Sequence, residues 1–76
     1  MEQMLEQIAK ALVDHPDQVR VSQLDDGRVV TLELRVSPDD VGKVIGRQGR
    51  IVKAIRTVVN AAALRNNKRV LVEIVP

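Results

Sequence analysis

The sequence predicts an α+β fold in which a three-stranded mixed sheet is covered on one face by three helices. Helical and strand periodicities follow one another along the chain in the order α-β-β-α-α-β. Two consecutive helices before the last strand provide a crossover that places this strand parallel to the second one. A chain of 76 residues closes one small core, so residues 1–76 are predicted to form a single domain.

The first helix and the hairpin carry the clearest periodicities. Apolar side chains at helical spacing predict a helix over residues 2–13, and Pro16 ends it. His15 is therefore interpreted as a loop residue at the helix end rather than as a catalytic group. Residues 19–24 and 29–36 predict two strands joined by a short polar turn. The side chains predicted to face the core from the second strand are Val30, Leu32, Leu34 and Val36.

The second helix is predicted to begin at Ser37, which precedes a proline and two carboxylates. Asp39 and Asp40 are interpreted as partners of the positive helix end, although paired carboxylates also serve acid–base chemistry in enzymes. Gly42, inside this helix, is interpreted as a position of close helix packing in preference to a ligand contact. No catalytic residue is assigned in this segment.

The third helix is predicted over residues 49–64 and carries two adjacent apolar stripes. The stripes are Ile51-Ile55-Val58-Ala62 and Val52-Val59-Ala63. Two stripes exceed the one packed face that so small a domain needs, so the second stripe is interpreted as a surface available to a partner. After a basic loop, residues 70–75 predict a last strand, whose apolar side chains on both faces indicate a well-buried position.

The charged side chains are divided unevenly along the chain. Residues 1–40 carry nine acidic and four basic side chains, whereas residues 41–76 carry one acidic and eight basic ones. The net charge of +2 therefore combines an acidic first half with a strongly basic second half. This polarity predicts an anionic partner for the second half. Lys10 and Arg56 are interpreted as solvated side chains on helix faces.

The basic half contains a turn between two helices with glycine at both corners. The run is Val44-Ile45-Gly46-Arg47-Gln48-Gly49-Arg50-Ile51. The glycines let a phosphate-sugar backbone approach closely, and the following helix directs free N–H groups towards it. Arg47, Arg50 and Lys53 add positive charge beside the turn. The alternative is an ordinary helix-turn-helix corner, because glycine commonly ends helices.

Several other functions are disfavoured by what the sequence lacks. The glycines do not fit a P-loop, which requires Gly-Lys-Ser/Thr, or a dinucleotide fingerprint, which follows a strand. Phe, Tyr and Trp are absent, so the aromatic stacking of RRM and OB-fold proteins is not available. With one histidine and no cysteine, no catalytic residue, metal site or cofactor is predicted, and so small a chain leaves little room for a small-molecule substrate. The acidic N-terminus and the lack of a long apolar run predict a cytoplasmic protein without a membrane span.

The element order together with the glycine turn resembles the KH domain in its type II arrangement, over essentially the whole chain. The single-domain format, with Leu12-Val13-Asp14-His15-Pro16 ahead of the hairpin, resembles the small bacterial KH proteins of the KhpA type. This resemblance implies a cytoplasmic protein that binds single-stranded RNA, forms homodimers and pairs with a larger KH protein of the KhpB or Jag type. It also implies a role in post-transcriptional regulation or as an RNA chaperone. The alternative function is a dimerisation or adaptor module for a larger KH protein, with incidental RNA affinity.

On this interpretation about four nucleotides of single-stranded RNA run past the turn, with their bases on aliphatic side chains. The residues predicted to bind RNA are Lys43, Val44, Ile45, Gly46, Arg47, Gln48, Gly49, Arg50, Lys53, Lys68 and Arg69. The aliphatic bed is predicted to include Val41, Val44, Ile45, Ile51 and side chains of residues 29–36. The basic side chains attract phosphate without reading the base sequence, and residues 65–69 correspond to the variable loop of type II domains.

Overall fold

The computed structural model describes residues 1–75, and its elements follow the predicted order. The elements are helix α1 (Glu2–Leu12), strands β1 (Arg20–Asp25) and β2 (Val29–Arg35), helices α2 (Val41–Ile45) and α3 (Arg50–Arg65), and strand β3 (Arg69–Val75). Short 3-10 turns at Pro16–Gln18, Pro38–Asp40 and Arg47–Gly49 lie between them. The predicted α+β class and the order α-β-β-α-α-β are confirmed.

β2 is the central strand of the sheet. β1 pairs with it antiparallel and β3 pairs with it parallel, so the strand order is β1-β2-β3. Leu32 in the middle of β2 lies beside Val72 of β3. A tight turn closes the hairpin, because Asp26 Oδ1 accepts hydrogen bonds from the N–H groups of Arg28 and Val29 at 2.9 and 2.8 Å. The predicted parallel crossover is confirmed.

The core lies between the sheet and the three helices, and β2 supplies its centre. The even-numbered side chains of β2 and of the residue after it are buried as predicted: Val30, Leu32, Leu34 and Val36. The other elements add Leu5, Ala9, Val19, Val44, Ile55, Val59, Ala63, Val70 and Val72. All of these side chains are aliphatic, and their removal from water is the main favourable term that offsets the entropy of ordering the chain.

β3 is an edge strand, and the prediction that both of its faces are buried was wrong. Val70 and Val72 point into the core, but Leu71 between them is 52% exposed. The apolar run fitted a strand covered on both sides. In this fold the helices cover only one face of the sheet, so the opposite face of β3 is open to solvent although it carries an apolar side chain.

The interpretation of the two stripes on α3 was also wrong. Val52, Val59 and Ala63, taken as a partner surface, are core residues, and Val59 is 0% exposed. The exposed apolar residue belongs to the other stripe, where Val58 is 49% exposed. α3 packs against β3 and also touches α1, so it needs a wider apolar surface than a helix that contacts a single neighbour.

Val59→Asp should prevent folding, because its carboxylate would enter a fully buried site without a partner. The expected loss of stability is at least roughly 3 kcal/mol. Val58→Asp is the matched control on the same helix, and its half-exposed position should limit the loss to about 1 kcal/mol. Circular dichroism with urea unfolding compares the two variants. A Val59→Asp chain that folds as stably as Val58→Asp would contradict the assignment of α3's buried face.

Candidate nucleic-acid interface

The turn between α2 and α3 depends on backbone conformations that favour glycine. Gly46 and Gly49 have φ angles of +79° and +72°, and Gln48 between them has φ +57°. The Gly46 N–H donates to the Gly42 carbonyl at 2.9 Å, and the Gly49 N–H donates to the Gly46 carbonyl at 3.1 Å. Non-glycine residues seldom adopt positive φ, so the turn holds Gln48 in a strained but defined position.

Gly46 is required by the fold independently of any ligand. A Cβ at this position would lie 2.5 Å from Cγ1 of Ile51, closer than two carbon atoms approach without bonding. Gly49 has more space, since the nearest atom to a Cβ there would be Val52 Cγ1 at 3.9 Å. The helix-turn-helix alternative therefore accounts for both glycines on conformational grounds. The case for a ligand rests on the groups that the turn presents.

The turn presents cations to solvent beside a helix start that no side chain caps. Arg47, Gln48, Arg50 and Lys53 are all exposed, and Arg50 Nη2 donates to Gln48 Oε1 at 3.2 Å. No side chain caps the N–H groups at the start of the 16-residue helix α3. The positive end of the helix dipole and these side-chain charges therefore act in the same direction. This arrangement suits an anion such as a phosphate.

Lys43, another predicted phosphate ligand, already has two acidic partners. Its ammonium group pairs with the carboxylate of Asp14 and lies 3.6 Å from Asp40 Oδ1. The hydrogen bond to Asp14 raises the pKa of Lys43 above its ordinary value. Its charge is thus largely offset within the protein, and it attracts phosphate less than the unpaired cations of the turn do.

Asp40 has a structural role that differs from the predicted partnership with the helix end. Its side chain is fully buried, and it accepts hydrogen bonds from the N–H groups of Asp14 and His15 at 3.2 and 3.0 Å. Burial alone would raise the pKa of Asp40, but these two backbone donors outweigh it and hold the pKa below its ordinary value. Asp40 therefore joins the connection after α1 to the start of α2. His15 lies in this connection, in agreement with its predicted loop position.

The predicted aliphatic bed is only partly accessible. Val44 is fully buried and packs in the core, so it contacts no ligand in this conformation, whereas Val41, Ile45 and Ile51 are half-buried. The even-numbered side chains of residues 29–36 are also in the core. The reason is that the helices cover the face of the sheet to which these side chains point, as the alternation along the strand predicted.

A groove lies between α3 and the free edge of β3. It measures about 290 Å³ and is lined by Arg56, Asn60, Val70, Leu71, Val72 and Glu73. A second depression of about 210 Å³ shares Asn60 and Val70 with it and is lined further by Leu64, Lys68 and Arg69. The predicted residues Lys68 and Arg69 therefore line this second depression. Lys68 Nζ is 3.9 Å from Asp25 Oδ2 and is otherwise exposed.

Sequence reasoning missed Arg56 and Asn60 as groove residues. Arg56 was interpreted as a solvated side chain, but its Nε and Nη2 atoms donate to the Val72 carbonyl at 3.3 and 3.1 Å. The available signal was the spacing of Lys53, Arg56 and Asn60, which places polar groups on one face of α3. That spacing is typical of a solvated face, so it does not indicate a groove without knowledge of where β3 lies.

Gly42 has no packing partner, which corrects the interpretation as a close-packing position. It is exposed on α2, and a Cβ there would meet no atom within 4 Å. Glycine inside a helix lowers stability relative to alanine by roughly 0.5–1 kcal/mol. The fold therefore gives no reason for glycine at this position, and the bare backbone remains open to a close ligand contact.

Within the described residues 1–75, no helix is long and apolar enough to cross a membrane. The same residues contain no group of three or more His, Cys, Asp or Glu side chains arranged to hold a metal ion.

Comparison with known proteins gives a consistent result along the whole chain. The family model described as KhpA/KhpB, KH domain, matches residues 2–74. A protein of Clostridium acetobutylicum described as RNA-binding protein KhpA is 61% identical over 75 residues, covering 99% of this chain and 100% of that protein. The protein of Clostridium perfringens with the same description is 57% identical, covering 99% and 100%. That of Aquifex aeolicus is 46% identical over 74 residues, covering 97% and 94%. No solved structure matches the chain.

Asp40→Ala should lower the thermal midpoint by several degrees, because two partly buried N–H groups would lose the buried carboxylate that accepts from them. Asp39→Ala, next to it on an exposed position, is the matched control and should change the midpoint little. The folded pKa of Asp40 is lowered, so its ionised form stabilises the fold above the ordinary carboxyl pKa of about 3.9 and this contribution is lost as the pH falls further. Thermal unfolding between neutral pH and pH values below about 3.9 should therefore show the difference between wild type and Asp40→Ala shrinking in acid. A constant difference would contradict the role of the charge.

Proposed function

Because the chain belongs to the KhpA/KhpB family of KH domains, we propose that it binds single-stranded RNA through the turn at residues 46–49. The observation that carries the proposal is the convergence of exposed cations and uncapped N–H groups at the start of α3. The similar proteins described as RNA-binding support RNA as the anion. Residues 1–76 act in this proposal as one KH domain.

The RNA backbone passes over the turn, where it meets positive charge without a competing carboxylate. Arg47, Arg50 and Lys53 have no carboxylate partner among the ion pairs of residues 1–75. Such contacts position the strand and make its affinity salt-dependent, but they carry no base sequence information. Gly46 and Gly49 have no side chains to hold the phosphates away.

The bases lie along α3 in the groove beside β3. Half-buried Ile45 and Ile51 lie next to the turn, and exposed Leu71 lies at the groove. These aliphatic surfaces substitute for the aromatic platforms that the chain lacks. Lys68 and Arg69 line the far end of the groove and extend the positive surface along the strand.

The proposed cellular role is that of an RNA-binding protein without catalytic activity. The chain acts in the cytoplasm on single-stranded segments, in post-transcriptional regulation or as an RNA chaperone. The similar proteins are described as RNA-binding, and none of the three reported above is described as an enzyme.

Replacing both Arg47 and Gln48 with Asp should abolish RNA binding while the fold persists. The two carboxylates would reverse the field at the start of α3, where a phosphate would lie. Stability should change by no more than roughly 0.5 kcal/mol, because both positions are exposed and Asp tolerates the left-handed conformation of residue 48. Titration of fluorescent single-stranded RNA at several salt concentrations, with circular dichroism as the folding control, measures the effect.

The control for this experiment is Lys68→Ala, which removes one charge outside the turn. It should weaken binding to all sequences alike and lower the slope of log affinity against log salt by about one. If the double Asp variant binds RNA as tightly as wild type, the mechanism proposed for the turn is wrong.

A second function, dimerisation, is favoured by one exposed apolar surface. Helices α1 and α3 enclose a shallow groove of about 350 Å³, lined by Ile8, Leu12, Arg50, Ile51, Ala54, Ile55 and Val58. An adjoining groove of about 400 Å³ continues past Val58 to Met4, Ala61 and Ala62. Such a surface is the natural contact for a homodimer, or for a heterodimer with a larger KH protein of the KhpB or Jag type. It replaces the stripe Val52-Val59-Ala63 as the proposed interface.

Val58→Asp should yield a folded monomer, because its charge would be desolvated only when a second chain covers the groove. Analytical ultracentrifugation at high micromolar concentration compares it with wild type. Thr57→Asp, at the neighbouring exposed position outside both grooves, should leave the assembly unchanged. A wild-type chain that sediments as a monomer under these conditions would contradict the dimer proposal.

A further inference from the structure

We propose that Asp14 competes with the RNA phosphates for Lys43, and that this internal contact lowers the affinity of the protein for single-stranded RNA. The proposal rests on the RNA-binding function above and concerns its regulation. Its basis is the ion pair between the Lys43 ammonium group and the Asp14 carboxylate, which joins α2 to the connection after α1. The two side chains are 44% and 69% exposed, so a phosphate can approach the pair from solvent.

Lys43 lies on the same exposed surface of α2 as the glycines that lead into the turn. Gly42 and Lys43 are exposed, whereas Val44 is buried in the core. The Gly46 N–H donates to the Gly42 carbonyl, so the two glycines are one helical turn apart, about 6 Å along the axis. This distance is close to the spacing of consecutive phosphates in an extended strand. An RNA backbone that passes Gly46 therefore brings a neighbouring phosphate over Gly42, beside Lys43.

The ion pair holds the ammonium group of Lys43 away from this path. Side chains of a helix lean towards its N-terminus, and Lys43 Nζ lies 3.6 Å from Oδ1 of Asp40, the residue immediately before α2. The ammonium group is thus kept at the start of the helix, whereas the turn follows its end. A lysine released from this position has a flexible four-carbon stem that can swing towards the turn.

The pair is better ordered than an isolated contact on a protein surface. The fully buried Asp40 accepts a hydrogen bond from the Asp14 N–H at 3.2 Å, which fixes the backbone that carries the Asp14 carboxylate. The same Asp40 oxygen is the one that lies near Lys43. An isolated exposed pair contributes little, but charges arranged in a network hold a defined geometry. The network therefore keeps a carboxylate at Lys43 before any ligand arrives.

Asp14 is the partner that a phosphate can replace. Asp40 has no exposed surface, so no ligand reaches its carboxylate. When a phosphate takes the place of Asp14, one ion pair is exchanged for another, and the contact of Lys43 with RNA adds little net affinity in the wild type. Loss of the Asp14 charge leaves the donors of the ammonium group free for RNA and adds one phosphate contact.

Asp14→Asn tests the competition by titration of a fluorescent single-stranded RNA of mixed sequence at several salt concentrations. Affinity near 0.1 M salt should rise about fivefold, and the slope of log affinity against log salt should steepen by about 0.7, the value of one phosphate contact on a single strand. Asp14→Glu keeps a carboxylate within reach of Lys43 and should bind RNA as wild type does. Asp17→Asn is the matched control, because it removes the same charge from an exposed position without an ion pair among residues 1–75. Its affinity should change by less than about twofold.

Lys43→Gln, alone and combined with Asp14→Asn, shows whether the effect acts through Lys43. The increase caused by Asp14→Asn should disappear in the Lys43→Gln background, because the two residues belong to one interaction. Circular dichroism checks that each variant is folded. An Asp14→Asn variant that binds RNA as wild type does, or an increase that persists without Lys43, would overturn this inference and leave the RNA binding of the turn intact. Failure of wild type to bind the RNA would overturn both.

Discussion

The close approach of Ile51 to Gly46 constrains the part of the chain on which the proposed function depends. Any side chain at position 46 would collide with Ile51, and the positive φ of Gly46 ends α2 at that point. The contact therefore limits the angle at which α3 leaves the turn. That angle directs the sheet-facing side of α3, with Val59 at its centre, into the core while the N–H groups at the start of the helix stay open. The packing of α3 and the exposure of its first N–H groups thus follow from the same backbone geometry.

The buried carboxylate of Asp40 supports this arrangement from the other side of α2. It holds the N–H groups of Asp14 and His15, which belong to the connection after α1. α2 has only five residues and is too short to be stable by itself, so tertiary contacts must position it. Val44 in the core and Asp40 at the start of the helix supply two such contacts. Helix α2 is therefore fixed at both ends, and the turn that follows it is already ordered. A preordered turn lowers the entropy cost that any ligand would meet on binding there.

The order of the elements and the position of the turn could be predicted because both depend on local patterns. Alternation in β2 and the glycine spacing at residues 46–49 are readable without knowing any tertiary contact. The errors on α3 and β3 have a different origin. Whether Val59 or Val58 faces the core depends on where α1 crosses α3, and whether Leu71 is covered depends on which face of the sheet carries the helices. Neither fact can be deduced from the spacing of apolar residues along the sequence. For the same reason Val44 was assigned to the ligand surface although it belongs to the core.

Arg56 shows how a helix side chain protects the free edge of the sheet. β3 leaves a row of backbone groups unpaired, and such an edge invites pairing with another strand. A guanidinium group on the Val72 carbonyl makes that pairing less favourable. The protection comes from a side chain of α3, so the same helix that covers the core also shields the open edge of β3. A surface formed by this edge is therefore charged at its centre, although the side chains of β3 around it are apolar.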